Sequence, residues 1–183
     1  MQEKLIDLLD FENAWNQTTG NGWLTKPEAL LLWNSAVKEV GPILEVGCYE
    51  GKSTCILAKL QRVLYAVDPF DGFHSERSGD EICKVFFDNI QQRQLDNVSL
   101  YRCKIEDWQP KEIGFAYLDG DHTLLGTLYQ IEKAIKCGAK SICIHDYAED
   151  GGGLNVKQAI QETPVTLQEV VERMAYCTVN NPL

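Results

Sequence analysis

Short apolar runs alternate along this chain with longer stretches in which apolar residues recur at helical spacing. The apolar runs predict five buried strands, at about residues 43–46, 63–67, 98–102, 115–118 and 141–144. The periodic stretches predict helices at about residues 53–60, 82–94, 123–137 and 156–162. Strands that alternate with helices are typical of a parallel sheet with helices on both faces. The pattern therefore predicts an α/β fold with a doubly wound, mostly parallel sheet.

The two ends of the chain extend this pattern. Residues 1–11 are typical of an amphipathic helix. Thr25 and Glu28 form a capping box that predicts the start of a second helix. Residues 165–179 predict two strands with a break near Arg173, so we expect an antiparallel strand at the C-terminal side of the sheet.

Neither a linker nor an internal repeat divides the sequence. We therefore expect a single domain over residues 1–183, a common size for one domain. Residues 1–40 would form an N-terminal helical cap, and residues 41–183 would form the core that contains the sheet.

The composition argues against several kinds of partner. The chain has 17 basic and 27 acidic residues, a formal net charge of −10, and an acidic surface repels nucleic acid. No apolar run reaches the roughly 20 residues that span a bilayer, so we expect no membrane partner. Seven cysteines without a CxxC pair are typical of reduced thiols and argue against a zinc site. We expect a cytoplasmic protein that acts on a small-molecule substrate, and a homo-oligomer stays open.

The first predicted strand ends in a glycine-bearing turn that opens a helix, within residues 44–54. Gly47 and Gly51 permit a tight turn and a close approach by a ligand, and the new helix directs its free N–H groups to the same place. Asp68 ends the next predicted strand, where a carboxylate is placed to accept hydrogen bonds from both hydroxyls of a ribose. Together these features predict a nucleotide-like ligand.

Three ligands of this kind compete for the turn. A dinucleotide fold needs the glycine spacing GxGxxG, which is absent. A P-loop needs GxxxxGK[ST]; Gly51, Lys52 and Ser53 supply its second half, but its first glycine would stand at Val46. S-adenosylmethionine needs an acid for its ammonium group, a glycine turn, and an acid for its ribose. Glu45, the glycine turn and Asp68 supply that set. A salt bridge to Lys52 is the alternative explanation for Glu45 within an apolar strand.

Four motifs in this order resemble class I S-adenosylmethionine-dependent methyltransferases, in particular the small bacterial O-methyltransferases related to macrocin O-methyltransferase. They are Glu-x-Gly-x-x-x-Gly-x-Ser-Thr at 45–54, Asp-Pro-Phe at 68–70, Asp-Gly-Asp-His at 119–122 and His-Asp-Tyr at 145–147. The resemblance covers nearly the whole chain. It implies a Rossmann-like fold, S-adenosylmethionine as the cofactor, and methyl transfer to a hydroxyl group of a small molecule. Tyr49 departs from the pattern, because most such methyltransferases have a glycine there.

The resemblance also implies which residues hold the cofactor. They are Glu45, Gly47, Cys48, Tyr49, Gly51, Ser53, Asp68, Phe70, Glu106 and Asp119. Two other functions stay open at this point: a P-loop-like kinase or NTPase, and a non-catalytic module that binds S-adenosylmethionine.

Polar side chains follow the fourth and fifth predicted strands, at Asp119, Asp121 and His122 and at His145 and Asp146. The carboxyl ends of parallel strands share one edge, so we expect these residues to lie near the cofactor. A hydroxyl acceptor needs a group that takes its proton, or a metal that lowers its pKa. His145 is the predicted base with Asp119 as its orienter, and His122 is the other candidate. Asp121 alternatively caps the next helix.

The same edge predicts a metal site as an alternative. In related metal-dependent O-methyltransferases, acids at the corresponding strand ends hold Mg²⁺, which implies Asp119, His145 and Asp146 as ligands here. Mg²⁺ prefers oxygen ligands, so His145 suits it less than a carboxylate would. S-adenosylmethionine is thus the expected cofactor. Mg²⁺ is the alternative second cofactor, and Asp119, His145 and Asp146 would hold it.

Overall fold

The computed structural model describes residues 2–18, 22–71 and 76–180, with side chains from residue 9 onward. Its helices are α1 (Gln2–Gln17), α2 (Lys26–Ala36), α3 (Lys52–Ala58), α4 (Gly79–Gln92), α5 (Leu124–Lys136) and α6 (Gly151–Glu162). Its strands are β1 (Ile43–Val46), β2 (Leu64–Val67), β3 (Val98–Tyr101), β4 (Phe115–Leu118), β5 (Ser141–Ile144), β6 (Val165–Val171) and β7 (Met174–Val179).

The described strands form one seven-stranded sheet in the order β3-β2-β1-β4-β5-β7-β6. β1 pairs in parallel with β2 and β4, and β3 and β5 extend the parallel part on either side. β7 lies antiparallel between β5 and β6. The predicted doubly wound, mostly parallel sheet with an antiparallel C-terminal strand is therefore confirmed.

Helices cover both faces of the sheet. Successive residues of a strand point to opposite faces, so Ile43 of β1 packs into one core and Leu44 into the other. The first core contains buried side chains of α1, α2, α3 and α4, such as Phe11 and Phe86. The second contains those of α5 and α6 together with Trp108. Because β1 is buried on both faces, it reads in the sequence as a continuous apolar run that only Glu45 interrupts.

One boundary difference concerns α6, which begins at Gly151 and not at the predicted residue 156. The three glycines at 151–153, which precede the predicted helix, form its first turn. A Cβ atom on Gly153 would lie 2.7 Å from Ala148, and one on Gly152 would lie 3.2 Å from Cβ of His122. Glycine is thus favoured here by close packing.

Other predictions about the chain can be compared directly. The capping box is present, because the Glu28 side chain accepts from the Thr25 N–H and Thr25 Oγ1 accepts from the Glu28 N–H. All seven cysteines are free thiols, and all except Cys103 are buried. Among the described helices, none is long and apolar enough to cross a bilayer. His74, in the polar stretch between the second predicted strand and the next predicted helix, lies outside the described residues.

Candidate active site

The carboxyl ends of the parallel strands form the edge at which the predicted site residues meet. β1 lies between β2 and β4, so the chain that leaves β1 runs to one side of the sheet and the chain that leaves β4 runs to the other. Open α/β sheets bind ligands in the crevice where two such connections diverge. Gly47 directly follows β1, Asp68 follows β2, Asp119 follows β4 and His145 follows β5. The structure therefore brings these four residues predicted from the sequence to one edge.

The turn after β1 depends on backbone conformations that favour glycine. Gly47 has a φ of +82°, and a Cβ atom there would lie 2.1 Å from the carbonyl oxygen of Asp119. Gly51 has a φ of +86° and stands at the N-cap of α3. Tyr49, between these two glycines, also has a positive φ of +47°, a conformation uncommon for non-glycine residues. The turn thus keeps a glycine-like path although its middle residue carries a large side chain.

Asp68 holds this turn in place. Its Oδ2 accepts hydrogen bonds from the N–H groups of Cys48 (2.8 Å) and Tyr49 (2.9 Å), and its Oδ1 accepts from the N–H of Phe70 (2.7 Å). Burial raises the pKa of Asp68, and these three N–H donors oppose the shift. A carboxylate offers about four acceptor positions, so about one remains for a ligand. The sequence predicted a ribose acceptor but not this role in fixing the turn.

Glu45 is the buried acid of the site. It is fully buried on β1, and its Oε1 accepts a short hydrogen bond from the Ser53 hydroxyl of α3. Burial raises the pKa of Glu45 to about 7, although the hydroxyls of Ser53 and Thr54 act in the opposite direction. Its Oε2 is buried without a well-aligned hydrogen-bond partner. A buried acceptor without a partner is costly, so this oxygen fits a site that receives a donor from a ligand.

The alternative salt bridge from Glu45 to Lys52 is wrong. Lys52 Nζ donates instead to the carbonyl oxygens of Leu24 (2.8 Å) and Gly22 (3.3 Å). It thereby ties the segment before α2 to the start of α3. The exposed Trp23 of that segment lies with its ring 5.6 Å from the ring of Tyr49.

Three further residues of the predicted cofactor set occupy different surroundings. Cys48 is buried, and burial raises its thiol pKa well above the ordinary value. The Phe70 side chain is buried and packs against Phe86, with ring centres 5.9 Å apart. Glu106 is exposed in the segment after β3. The roles of these three residues toward a cofactor stay predictions.

The polar residues that follow β4 and β5 form a cluster of two histidines and two aspartates. His145 Nδ1 lies 3.3 Å from Asp119 Oδ1 and 3.8 Å from Asp146 Oδ1. His122 Nδ1 lies 3.2 Å from Asp146 Oδ2, and its Nε2 lies 3.7 Å from Asp119 Oδ1. The Tyr117 hydroxyl donates to the other oxygen of Asp119 at 2.9 Å. The four residues predicted for acid–base or metal chemistry are therefore in contact.

Asp121, of the Asp-Gly-Asp-His motif, has the structural role that was given as its alternative, at the start of the next helix. Its Oδ1 accepts from the N–H of Thr123 at 2.8 Å. Thr123 is the N-cap of α5 and accepts from the N–H of Gly126. Asp121 therefore shapes the start of the helix.

Sequence reasoning missed two residues of the cluster, Glu28 and Arg173. Glu28 is buried, and its Oε2 lies 3.4 Å from His145 Nε2. Its Oε1 accepts from the N–H of Arg173 at 2.9 Å, and the Arg173 Nε donates to Asp146 Oδ1, also at 2.9 Å. The capping box had already singled out Glu28, but nothing in the sequence connected it with β5.

The carboxylates determine the charge state of His145. Burial favours its neutral form, but Asp119, Asp146 and Glu28 outweigh burial and raise the pKa of His145 to about 12. His145 in turn lowers the pKa of Asp146 well below its ordinary value. Burial acts to raise the pKa of Glu28, yet His145 and two backbone N–H donors lower it to about 2. A protonated imidazole cannot accept a proton, so this arrangement favours His122 over His145 as the base.

Asp119, His145 and Asp146 also meet the geometric requirement for a shared metal ion. Each offers one ligand atom, and the three atoms lie within 4.8 Å of one another. The donor set is one imidazole nitrogen and two carboxylate oxygens. It therefore differs from the all-oxygen set that Mg²⁺ prefers.

The fold is shared with solved O-methyltransferases. No family profile and no curated protein matches the chain. Cofactor-bound Rv0187 from MTB superposes with a TM-score of 0.66 and 17% identity, over 99% of this chain and 91% of that chain. The O-methyltransferase TomG from Streptomyces achromogenes, solved with SAM, gives a TM-score of 0.67 at 13% identity, over 94% and 90% of the two chains. An O-methyltransferase from Bacillus cereus in complex with SAH gives 0.65 at 16% identity, over 94% and 91%.

Proposed function

We propose that this protein is an enzyme that transfers a methyl group from S-adenosylmethionine to a hydroxyl group of a small molecule. The observation that carries this proposal is Glu45, a fully buried carboxylate beside the glycine turn that contacts the hydroxyls of Ser53 and Thr54 but, among the described residues, forms no ion pair. A ligand with an ammonium group would supply a charged donor and a compensating charge. The fold shared with O-methyltransferases solved with SAM and SAH supports the same cofactor.

The residues of the edge fit the parts of this cofactor. Glu45 would accept from its ammonium group, the turn from Gly47 to Gly51 would cover its methionine part, and the remaining acceptor position of Asp68 would receive a ribose hydroxyl. Acids along the edge would also attract a cationic ligand. When bound, S-adenosylmethionine supplies an electrophilic methyl group on a sulfonium centre, so the chain has mainly to position the acceptor and exclude water.

His122 is the residue that we assign to take the proton of the acceptor hydroxyl. Its Nδ1 faces Asp146 Oδ2 at 3.2 Å, an orienting contact that leaves Nε2 to act as the base. Asp119 faces that nitrogen at 3.7 Å and would help to place the acceptor. If a metal takes part, Asp119, His145 and Asp146 would hold it, and it would lower the pKa of the acceptor hydroxyl.

A P-loop-like kinase or NTPase fits this edge poorly. The N–H groups of Cys48 and Tyr49, which a phosphate would need, already donate to the Asp68 carboxylate. Glu45 and Asp119 add further negative charge at the same edge, which repels a triphosphate. A non-catalytic binding module is the other alternative, and the contact between His122 and Asp146 argues against it.

The proposal is tested by supplying S-adenosylmethionine with a labelled methyl group together with fractionated metabolite extracts. We expect label to appear in one small-molecule product, and we expect His122→Asn to lose that activity while it still binds S-adenosylhomocysteine. A protein that binds S-adenosylhomocysteine but labels nothing would be a binding module. A protein that binds neither form of the cofactor would contradict the proposal altogether.

A further inference from the structure

Lys52, the basic residue of the half P-loop sequence, is the first residue of α3. Its Nζ donates to the carbonyl oxygens of Leu24 (2.8 Å) and Gly22 (3.3 Å), and it lies 5.3 Å from the centre of the Trp15 ring. A Cβ atom on Gly22 would lie 3.5 Å from the Cδ of Lys52, so the lysine side chain runs close along the backbone there. All three partners precede α2, and Lys52 therefore fastens that part of the chain to the start of α3.

The segment that this lysine holds, residues 22–25, is fastened at its other end as well, and we call it the strap. Thr25 Oγ1 donates to Glu172 Oε2 at 2.6 Å, in the turn between β6 and β7. Leu24 packs into the first core, whereas Trp23 is 69% exposed. The strap is therefore fixed on both sides while the indole of Trp23 stays accessible.

Trp23 connects the strap to the glycine turn. The centre of its ring lies 5.6 Å from that of Tyr49, and the two ring planes form an angle of 43°. Tyr49 has the uncommon φ of +47°, and its N–H donates to Asp68 Oδ2 at 2.9 Å. A ring contact on Tyr49 therefore supports the turn at a strained residue that also contacts Asp68.

α1 and α2 do not depend on Lys52 alone for their attachment. Arg62 Nη1 donates to the carbonyl oxygen of Ala36, in the last turn of α2, at 2.7 Å. Arg93 Nε donates to the carbonyl oxygen of Gln17, the last residue of α1, also at 2.7 Å. Loss of the Lys52 contacts should therefore release the strap and leave both helices in place.

We propose that Lys52 is a positioning residue for the cofactor that acts through Trp23. It fastens the strap so that the indole packs on Tyr49 and holds the glycine turn in the conformation that binds S-adenosylmethionine; the identity of this ligand rests on the proposed function. A turn held in this conformation binds more tightly, because the apparent affinity falls with the fraction of molecules that are competent to bind. Lys52 thus uses its donors on the chain itself, whereas a P-loop lysine uses them on phosphate.

The test measures S-adenosylhomocysteine binding by titration calorimetry for the wild type, Lys52→Met, Trp23→Ala and the variant with both changes. An aromatic pair contributes a factor of about three to ten, so each single variant should bind about three- to tenfold more weakly. Because the lysine acts through the indole, the double variant should bind no more weakly than Trp23→Ala. Two independent effects would instead multiply, to roughly ten- to a hundredfold.

Two further variants show whether the donor on Lys52 matters. Lys52→Arg keeps charged donors at this position and should bind within about twofold of the wild type. Lys26→Met is the matched control. Lys26 begins α2 directly after the strap, but its ammonium group pairs with Glu12 of α1 at 2.8 Å. This control should bind S-adenosylhomocysteine like the wild type.

Three results would overturn the proposal: wild-type affinity in Lys52→Met, an equal loss in Lys26→Met, or losses that multiply in the double variant. Trp23 is exposed, so Trp23→Ala should fold whatever happens to Lys52→Met, and unchanged affinity in Trp23→Ala alone also overturns the proposal. If the wild type binds no S-adenosylhomocysteine, the proposed function fails and this positioning role fails with it. Wild-type binding that these variants leave unchanged overturns the inference alone.

Discussion

Replacing Glu45 with glutamine is expected to stabilise the ligand-free protein while weakening its affinity for S-adenosylhomocysteine. Burial raises the pKa of Glu45 from an ordinary 4.5 to about 7. Between these two values the folded protein binds the proton more tightly than the unfolded chain, so the stability of the wild type falls as the pH rises through this window. At pH 8 the buried carboxylate is ionised, and the full loss of folding stability is present. At about 1.36 kcal/mol per pKa unit, this loss amounts to roughly 3 kcal/mol.

Glutamine removes this cost, because it keeps an oxygen for the Ser53 hydroxyl but carries no charge. For a chain of this size, 1 kcal/mol shifts the melting temperature by about 2–4 °C. Glu45→Gln should therefore melt about 6–12 °C above the wild type at pH 8. The difference should vanish near pH 4, where the wild-type side chain is protonated in both states.

The same substitution removes a charged partner for the ligand's ammonium group. A hydrogen bond to a charged group contributes about 1.5–3 kcal/mol, so the affinity should fall by about 10- to 150-fold at pH 8. Wild-type binding should also weaken by about tenfold for each pH unit below 7, since Glu45 must first release its proton. Glu45→Gln should lack that part of the pH dependence.

Thermal melts at pH 4, 5, 6, 7 and 8 and titration calorimetry at pH 5, 6, 7 and 8 measure both effects. Glu162→Gln, at the exposed C-terminal end of α6, is the control and should change neither quantity. If Glu45→Gln melts like the wild type and binds S-adenosylhomocysteine with the same affinity and pH dependence, Glu45 is not the ammonium site and its raised pKa has no functional meaning.

Three further substitutions test other parts of the edge. Asp68→Ala leaves three backbone N–H groups of the turn without their acceptor, so it should lower the melting temperature and weaken S-adenosylhomocysteine binding by at least about tenfold. Unchanged calorimetry would show that Asp68 does not support the site. Gly47→Ala forces a Cβ atom against the Asp119 carbonyl at a φ of +82°, so urea unfolding should show a free energy of unfolding that is about 2–4 kcal/mol lower. Wild-type stability of this variant would show that the ends of β1 and β4 do not approach so closely. His122→Asn should reduce turnover by about 10²–10⁴-fold with unchanged cofactor affinity, and full activity would remove His122 as the base.

The sequence predicted the sheet because its central strands are buried on both faces and leave continuous apolar runs. It also placed Gly47 and Asp68, since turn glycines and strand-end acids have local signals. The partners of Asp68 could not be predicted in the same way, because its contacts with the Cys48 and Tyr49 N–H groups join two separate strand ends. Local patterns do not encode such tertiary contacts.

Glu28 and Lys52 are two further residues whose tertiary contacts could not be predicted from local sequence patterns. Glu28 had a sufficient local explanation as a capping residue, and its contact with His145 arises only when α2 packs beside β5. Lys52 had a plausible partner nearby in Glu45, but it reaches instead to the carbonyl of Leu24. In both cases the helices before the sheet determine what the side chain contacts.

The most direct measurement of the proposed chemistry is calorimetry of the ligand-free protein with S-adenosylhomocysteine and, separately, with ATP. We expect one S-adenosylhomocysteine to bind per chain and no heat of binding from ATP. At a concentration one hundred times its dissociation constant, S-adenosylhomocysteine should add about 2.7 kcal/mol of stability, visible as a higher melting temperature. Saturable binding of ATP with none of S-adenosylhomocysteine would contradict the assignment of the glycine turn, Glu45 and Asp68 to this cofactor.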